Sequence, residues 1–235
     1  MIWVTGDTHR KIDSDKVFNT TKVKNNDYLI IAGDFGFVWY NEEDRKGFYE
    51  DIRLLDNLNK LGFTILFIDG NHENFDMLSN FPYKNHFGGK VQVLRPNVFH
   101  LCRGELYKIE GKRIFTFGGA VSIDKNLRVE GHSWWSQEVP KYSEFLHGHD
   151  TLDKCGNKVD YVITHCAPTR VLYYLDATYR EDSVTQGLDT FVDRVEFRKW
   201  IFGHYHKDID FNAFAFENEK IKHYRCVYND FIKLE

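Results

Sequence analysis

The sequence predicts an α/β protein whose strands pair largely in parallel. Short apolar runs alternate along the chain with helical patterns. The runs are continuous rather than alternating, which is typical of strands covered on both faces. The six runs predicted to be strands are IWVT (2–5), YLIIA (28–32), TILFI (64–68), RIFTFGGA (113–120), YVIT (161–164) and WIF (200–202).

The clearest helical pattern follows the acidic stretch at residues 41–44. Apolar residues recur there at intervals of three and four from Phe48 to Leu61, which predicts a helix with one face turned to a core. Gly62 is predicted to end this helix as its C-terminal cap. Residues 14–24 and 188–200 carry less regular patterns and are predicted to form two further helices.

The end of the chain has a different pattern. After residue 206, apolar and polar residues alternate, and Asn218 and Glu219 are predicted to form the turn between two antiparallel strands. The sequence contains no linker, repeat or low-complexity segment. We therefore expect one domain over residues 1–235.

Composition excludes several classes of protein. The net charge of −4 is too small for a strong electrostatic field, so nonspecific binding to duplex nucleic acid is not expected to dominate. The four cysteines form no C-x-x-C pair, so neither a zinc ribbon nor a redox motif is indicated. The N-terminus lacks the pattern of a signal peptide, and no apolar run approaches the ~20 residues of a membrane span. We expect a protein of the reducing cytoplasm that binds no membrane.

Polar side chains follow five of the predicted strands at the point where each strand ends. Ligands of α/β sheets bind outside the carboxyl ends of the strands, so these side chains are expected to converge. Glycine, which allows close approach of the backbone, usually stands beside them. The residues are Asp7, His9, Asp34, Asn71, His72, His165, His204 and His206.

This set of side chains favours particular metals. Carboxylate oxygens combined with imidazoles suit manganese, iron(II), nickel or zinc rather than a thiolate site or an all-oxygen calcium site. The set offers more ligands than one tetrahedral zinc ion can take, even if one of the eight side chains is not a ligand. They suit two metals that share one bridging carboxylate.

The blocks D-x-H, G-D, G-N-H-E, H and G-H-x-H occur in this order between residues 7 and 206, each behind an apolar strand. They resemble the calcineurin-like metallophosphoesterase superfamily, and in particular its small bacterial and phage members. The resemblance implies a two-sheet β-sandwich flanked by helices and a centre of two divalent metal ions. Manganese is the expected metal, with iron, nickel or zinc as alternatives.

The resemblance also implies a role for each residue. It assigns Asp7, His9 and His206 to the first metal, Asp34 to a bridge between the metals, and Asn71, His165 and His204 to the second metal. His72 would not be a ligand but would donate a proton or hydrogen bond to the substrate phosphate. Glu73 would begin the next helix, where a carboxylate favours the helix dipole.

The implied activity is hydrolysis of a phosphoester by a hydroxide that bridges the two metals. We expect a phosphodiester, nucleotide-like or nucleic-acid-like, because the Asp-Arg-Gly of protein phosphatases is absent after Asp34 and the chain is rich in aromatic residues. A phosphomonoesterase with the same site is the alternative. A catalytically silent metal-binding scaffold and a nucleic-acid-binding module with a structural metal are the alternatives from other classes. No obligate protein partner is inferred.

Two arginines are candidates for binding the substrate. Arg10 stands where many members of the superfamily have glycine, and it would either grip a phosphate oxygen or lie on the surface. Residues 118–138 are predicted to form a long loop over the site, where Arg128 or Lys125 would bind a second phosphate. The two tryptophans of this loop would either stack on a base or anchor the loop to the core.

Overall fold

The computed structural model describes residues 1–214 and 221–235, and no helix among them is long and apolar enough to cross a membrane. The elements are, in chain order, β1 (Ile2–Thr5), α1 (Asp15–Phe18), β2 (Tyr28–Ile31), α2 (Arg45–Asn59), β3 (Thr64–Phe67), α3 (Phe75–Ser79), β4 (Tyr83–His86), β5 (Gly89–Arg95), β6 (Val98–Leu101), β7 (Glu105–Ile109), β8 (Lys112–Phe117), α4 (Tyr142–Lys154), β9 (Tyr161–Thr164), α5 (Leu172–Leu175), α6 (Ser183–Val192), β10 (Lys199–Phe202), β11 (Ile209–Phe214), β12 (Ile221–Cys226) and β13 (Ile232–Leu234). Three 3₁₀ turns lie at Lys125–Leu127, Ser136–Glu138 and Thr169–Val171.

The strands form two mixed sheets. The first has the order β13-β1-β2-β3-β6-β5-β4, and its four central strands from β1 to β6 are parallel. The second has the order β11-β12-β10-β9-β8-β7, and its four central strands are parallel as well. Antiparallel strands flank both parallel sets.

Buried apolar side chains divide into three layers that hold the sheets and helices together. The middle layer lies between the sheets and joins Val4 and Leu66 of the first to Ile163 of the second. Outer layers contain helical residues on both sides, such as Leu55 of α2 beside the first sheet and Phe191 of α6 beside the second. The predicted sandwich of two sheets flanked by helices is therefore confirmed.

All six predicted strands are present, and the helix predicted between Phe48 and Leu61 is α2. It begins after Asp44, whose carboxylate accepts a hydrogen bond from the Gly47 N–H at 3.0 Å. The predicted capping role of Gly62 is wrong, because Lys60 is the C-terminal cap. A Cβ at Gly62 would lie 2.1 Å from Oδ1 of Asn25, so close approach explains this glycine.

Other predicted elements are shorter, shifted or missing. Only Asp15–Phe18 of the segment 14–24 is helical. The helix predicted at 188–200 overlaps α6 only over residues 188–192, and residues 199–200 belong to β10. Helix α6 begins earlier because the Asp182 carboxylate caps it through the N–H groups of Val184 and Thr185. The antiparallel pairing of β11 and β12 is confirmed, and the predicted turn at Asn218 and Glu219 lies outside the described residues. The patterns did not predict strands β4–β7 or helix α4.

Candidate metal centre

The proposed ligands follow the carboxyl ends of β1, β2, β3, β9 and β10, and the fold brings these strand ends together. Among the residues that the structure describes, three groups of His and Asp side chains have ligand atoms within 4.8 Å of one another. They are Asp7 with His9 and His206, Asp34 with His165 and His204, and His9 with Asp34 and His72. The first two groups correspond to the two sets of ligands that the family resemblance implies. Asn71, the remaining member of the second set, contacts His165 of the second group.

Asp34 lies between the two groups. Its Oδ2 is 3.2 Å from Nε2 of His9, while its Oδ1 is 3.3 Å from Nε2 of His165. Oδ1 also accepts the backbone N–H of His72 at 2.8 Å. Each oxygen of one buried carboxylate therefore faces a different group, which is the arrangement that a bridging ligand requires.

Asp7 is fully buried and shows a feature that suits a cation. Its Oδ1 accepts the backbone N–H of His204 at 3.1 Å. Its Oδ2 has no hydrogen-bond partner in the part of the chain that the structure describes, although Nε2 of His206 is 3.1 Å away. A buried carboxylate oxygen left in this way is costly unless something else satisfies it. A divalent cation between Asp7, His9 and His206 fits that requirement.

Hydrogen bonds orient two of the histidines for metal binding. Nδ1 of His165 donates to the Ala32 carbonyl at 2.9 Å, and Nδ1 of His9 donates to Oδ2 of Asp13 at 2.7 Å. Because the carbonyl and the carboxylate accept the Nδ1 protons, Nε2 of each ring is the nitrogen that would offer a lone pair to a bound metal. Asp13, which the sequence analysis missed, is held in turn by the Tyr228 hydroxyl at 2.9 Å.

Asn71 contributes its side-chain oxygen to the second group. Its Nδ2 donates to Oγ of Ser122 at 3.1 Å, and its Oδ1 lies 3.3 Å from Nε2 of His165. Ser122 is itself bonded to the buried carboxylate of Glu138. The sequence analysis gave no role to Ser122 or Glu138, because their contacts with the site depend on the path of residues 118–138.

The backbone at the centre is unusual. Four of the proposed ligands have positive φ angles: His9 (39°), Asp34 (45°), His204 (67°) and His206 (50°). Residues other than glycine adopt this region at a cost, and such positions concentrate at functional sites. The surrounding sheets must therefore stabilise these loops strongly.

Glycines before the ligands allow side chains to approach closely. A Cβ at Gly70 would lie 2.1 Å from Oδ1 of Asp34, and one at Gly203 would lie 2.3 Å from Oδ1 of Asp7. Both distances are far below a normal contact. Any side chain at these two positions would push a proposed ligand out of place.

The protonation states are set by the mutual proximity of the groups. Burial raises the pKa of Asp34, but the charge of His165 and the hydrogen bonds to it hold that pKa well below its ordinary value. Burial lowers the pKa of His165, but the charge of Asp34 outweighs burial and raises it to about 10. Burial, with His165 beside it, lowers the pKa of His204 to about 4. The Asp34 carboxylate is thus ionised at neutral pH, as a metal ligand must be.

His72 lies at the edge of the centre, with its ring 5.4 Å from that of His9. Its Nδ1 is 3.2 Å from NH1 of Arg128. A guanidinium group only donates hydrogen bonds, so Nδ1 accepts and the proton of the neutral ring is on Nε2. Burial lowers the pKa of His72, and the charge of Arg128 lowers it further against the opposing charge of Asp34.

The two candidate arginines occupy different places. Arg128 reaches the centre through His72, and its Nε and NH2 both donate to Oδ2 of Asp124. Arg10 is turned away: its Nε donates to Asp51 at 2.7 Å and its NH2 to Glu50 at 2.6 Å. The structure does not bring Arg10 into the groups of proposed ligands.

The role predicted for Glu73 is wrong. Helix α3 begins after Asn74, whose side chain accepts from the Met77 N–H at 3.0 Å. The buried Glu73 carboxylate instead accepts the N–H groups of Phe35 at 2.6 Å and Gly36 at 3.1 Å. Burial, followed by the charge of Asp34, raises the pKa of Glu73 to about 8. Glu73 therefore holds the loop that carries Asp34.

Residues 118–138, termed here the covering loop, lie beside the centre and include two of the 3₁₀ turns. Ser122 and Arg128 reach inward, whereas Ile123 and Leu127 are 97% and 90% exposed. Trp135 is buried and donates from Nε1 to Oδ2 of Asp76 at 2.9 Å, which favours the anchoring interpretation for this residue.

Comparison with known proteins identifies the family. The sequence model of the calcineurin-like phosphoesterases matches residues 1–208, and the chain belongs to this family. It is a metal-dependent phosphoesterase hydrolase, and the family implies divalent metal ions. The donor set and the buried Oδ2 of Asp7 fit such ions.

Two solved structures are similar to this chain at low sequence identity. The chain is similar to phosphopantetheinyl hydrolase from Mycobacterium tuberculosis, with 15% identity, a TM-score of 0.51, and coverage of 97% of this chain and 89% of the other. It is also similar to a candidate 5′-nucleotidase from Staphylococcus aureus, with 16% identity and a TM-score of 0.48. That match covers 97% of this chain but only 48% of the longer chain. A search of curated proteins found no match.

Proposed function

We propose that this chain, as one domain over residues 1–235, hydrolyses a phosphodiester at a centre of two divalent metal ions, with manganese as the first candidate. The observation that carries the proposal is the position of Asp34, whose two oxygens face two separate groups of ligands. Asp7, His9 and His206 would hold one ion. Asn71, His165 and His204 would hold the other.

The ions, when bound, would activate a water nucleophile and neutralise charge on the phosphate. Residues of the chain would position the proposed ligands around these ions. Asp34 fixes the spacing of the two groups, while Asp13 and the Ala32 carbonyl fix the rings of His9 and His165. Glu73 keeps the Asp34 loop in its strained conformation.

His72 would act on the substrate rather than on the metals. With Nδ1 accepting from Arg128, the N–H at Nε2 is the group that remains to donate a hydrogen bond or proton. Such a donor stabilises charge that develops on the phosphate or on the leaving oxygen. Arg128 therefore orients the ring of His72. Any contact of Arg128 with the substrate phosphate would be made next to that ring. The phosphate contact proposed for Arg10 stays a prediction without support from its observed partners.

The choice of a diester rests on the sequence around Asp34 and on the covering loop. Phe35, Gly36 and Phe37 follow Asp34, so the loop lacks the Asp-Arg-Gly of protein phosphatases. Ile123 and Leu127 are exposed and apolar, and they stand next in the chain to Ser122 and Arg128, which contact Asn71 and His72. They suit the large organic groups of a nucleotide-like diester. The reducing cytoplasm remains the predicted location.

The test is hydrolysis by metal-stripped protein with added Mn²⁺, with bis-p-nitrophenyl phosphate and p-nitrophenyl phosphate compared side by side. We expect Mn²⁺-dependent cleavage that favours the diester and is lost in Asp34→Asn. Elemental analysis of the same samples should give two ions per wild-type chain.

Two outcomes would contradict the proposal in different ways. Preference for the monoester would keep the metal site but replace the diesterase with a phosphatase. Activity on neither substrate, despite two bound ions, would contradict hydrolysis of simple phosphoesters and favour a metal-binding scaffold.

A further inference from the structure

We infer that Ser122 and Glu138 are positioning residues that fix the side-chain amide of Asn71 with its oxygen toward the second group of ligands. The inference rests on the proposed ligand role of Asn71. It assigns a function to two residues of the covering loop. Ser122, which contacts Asn71 directly, is 51 residues away from it in the sequence.

The three side chains form a buried chain of hydrogen bonds. The Glu138 carboxylate accepts from Ser122 twice, with Oε1 2.7 Å from the backbone nitrogen and Oε2 2.7 Å from Oγ. Oγ of Ser122 is also 3.1 Å from Nδ2 of Asn71. All three residues are buried, so water does not compete freely for these groups.

The positions of the protons determine the direction of the chain. Burial raises the pKa of Glu138, while the two hydrogen bonds from Ser122 and the charges of Arg128 and Lys125 oppose that rise. In its ionised form the carboxylate only accepts hydrogen bonds, so the single hydroxyl proton of Ser122 goes to Glu138. The Ser122 oxygen then has only lone pairs left for Asn71. The group of Asn71 that faces Ser122 must therefore be the NH₂ group, and the amide oxygen must face the other way.

That other direction is the metal centre. Oδ1 of Asn71 lies 3.3 Å from Nε2 of His165, which also faces Oδ1 of Asp34. An amide turned over by half a rotation would present N–H donors to a cation, and N–H donors cannot serve as ligands. The two orientations have nearly the same shape, so packing alone does not select between them. Hydrogen bonding from Ser122 and Glu138 makes the selection.

The backbone of the covering loop holds the two residues in register. The Ala120 N–H donates to the Glu138 carbonyl at 3.1 Å, which closes the base of the loop. NH2 of Arg103 also donates to that carbonyl at 3.3 Å while the same guanidinium binds the buried Asp69. The base of the loop therefore fixes Glu138, whose side chain binds Ser122 and through it the proposed ligand Asn71.

The test measures Mn²⁺ binding by calorimetry, together with elemental analysis, in the full chain. The variants are Ser122→Ala, which removes the acceptor for Asn71, and Glu138→Gln, which keeps the volume but supplies an NH₂ group. That NH₂ group would donate to Ser122 and release the hydroxyl proton toward Asn71, which favours the wrong orientation. Ser133→Ala is the matched control, because Ser133 lies in the same loop and accepts from the Val129 N–H but does not touch Asn71.

We expect both variants to bind one of the two ions about 10- to 100-fold more weakly, the usual cost of losing a residue that orients a ligand. The other ion should bind with unchanged affinity, and Ser133→Ala should match the wild type. Thermal unfolding of the metal-free proteins separates this effect from a general loss of structure.

Two results would overturn the inference. Wild-type affinity for both ions in Ser122→Ala and Glu138→Gln would show that Asn71 needs no such orientation. Equal weakening of both ions, with a lowered unfolding temperature of the metal-free protein, would make the pair a structural support only. The proposed two-metal function fails separately, if the wild type itself binds fewer than two ions.

Discussion

The strand-end centre and the covering loop lie side by side but are built in opposite ways. Asp7, Asp34 and His165 stand within a few residues of parallel strands and are almost fully buried. The covering loop is long and irregular, and Ile123 and Leu127 on it are almost fully exposed. The sheets therefore hold the proposed metal ligands in place, whereas the loop exposes side chains that a substrate could contact.

The separation is not complete, because the loop touches the centre at two points. Ser122 bonds to Asn71, and Arg128 bonds to His72. The loop therefore orients one proposed ligand and the proposed proton donor. Variants in the centre, at its edge and on the loop surface should show how far the two regions act independently.

The largest effect is expected at Asp34, compared with Asp7. Asp34→Asn should weaken both metals, since one oxygen faces each group, and activity should fall by more than the ~10²- to 10⁴-fold that a lost general acid costs. Asp7→Asn should weaken mainly the first metal, because Oδ2 of Asp7 faces His206 of that group, whereas its Oδ1 accepts the backbone N–H of His204. Metal content by elemental analysis, with kcat for the chromogenic diester, checks both.

Equal metal loss in the two variants would contradict the bridging role of Asp34. Retention of two ions and near-normal turnover in Asp34→Asn would contradict the whole assignment of the centre. Circular dichroism of both variants controls for unfolding.

His72 should show the next largest effect. His72→Ala should keep both metals but lower kcat by about 100- to 10,000-fold, because a donor to the substrate is lost and no ligand is removed. Calorimetry with Mn²⁺ and single-turnover kinetics measure the two properties on the same sample. If His72→Ala lost a metal ion, His72 would have to be counted among the ligands, as its proximity to His9 and Asp34 would also allow.

The side chains that the fold groups at the strand ends were easier to find from sequence than the residues that orient them. Metal binding needs particular side chains at strand ends, so candidates such as Asp7 and His204 stand out from the local pattern. Orienting residues need only a hydrogen-bonding group in the right place, and Ser122 lies 51 residues from its partner Asn71. No local sequence pattern can indicate a contact between residues so far apart in the chain.

Glu73 shows a second limit of sequence reasoning. A carboxylate before a helix is typical of a residue that stabilises the helix end, and the residue stands next to such a helix. The fold uses it instead to accept two N–H groups 37 and 38 residues earlier in the chain. The helix predicted over residues 14–24 is likewise reduced to Asp15–Phe18, since tertiary contacts readily outweigh a weak local pattern.

The smallest effect is expected on the exposed face of the covering loop. Leu127 ends a 3₁₀ turn with its side chain in solvent, so Leu127→Ser should change the free energy of unfolding by no more than about 0.5 kcal/mol. Mn²⁺ affinity and kcat for the small chromogenic diester should not change, because the contacts of Ser122 and Arg128 remain. Denaturant unfolding, calorimetry and steady-state kinetics measure these quantities, with Ile123→Ser as a second exposed position. A rise in KM for the small diester in both variants, at unchanged metal affinity, would show that even a small substrate rests on the loop. The covering loop would then belong to the active site itself, and the division between rigid centre and separate surface would be wrong.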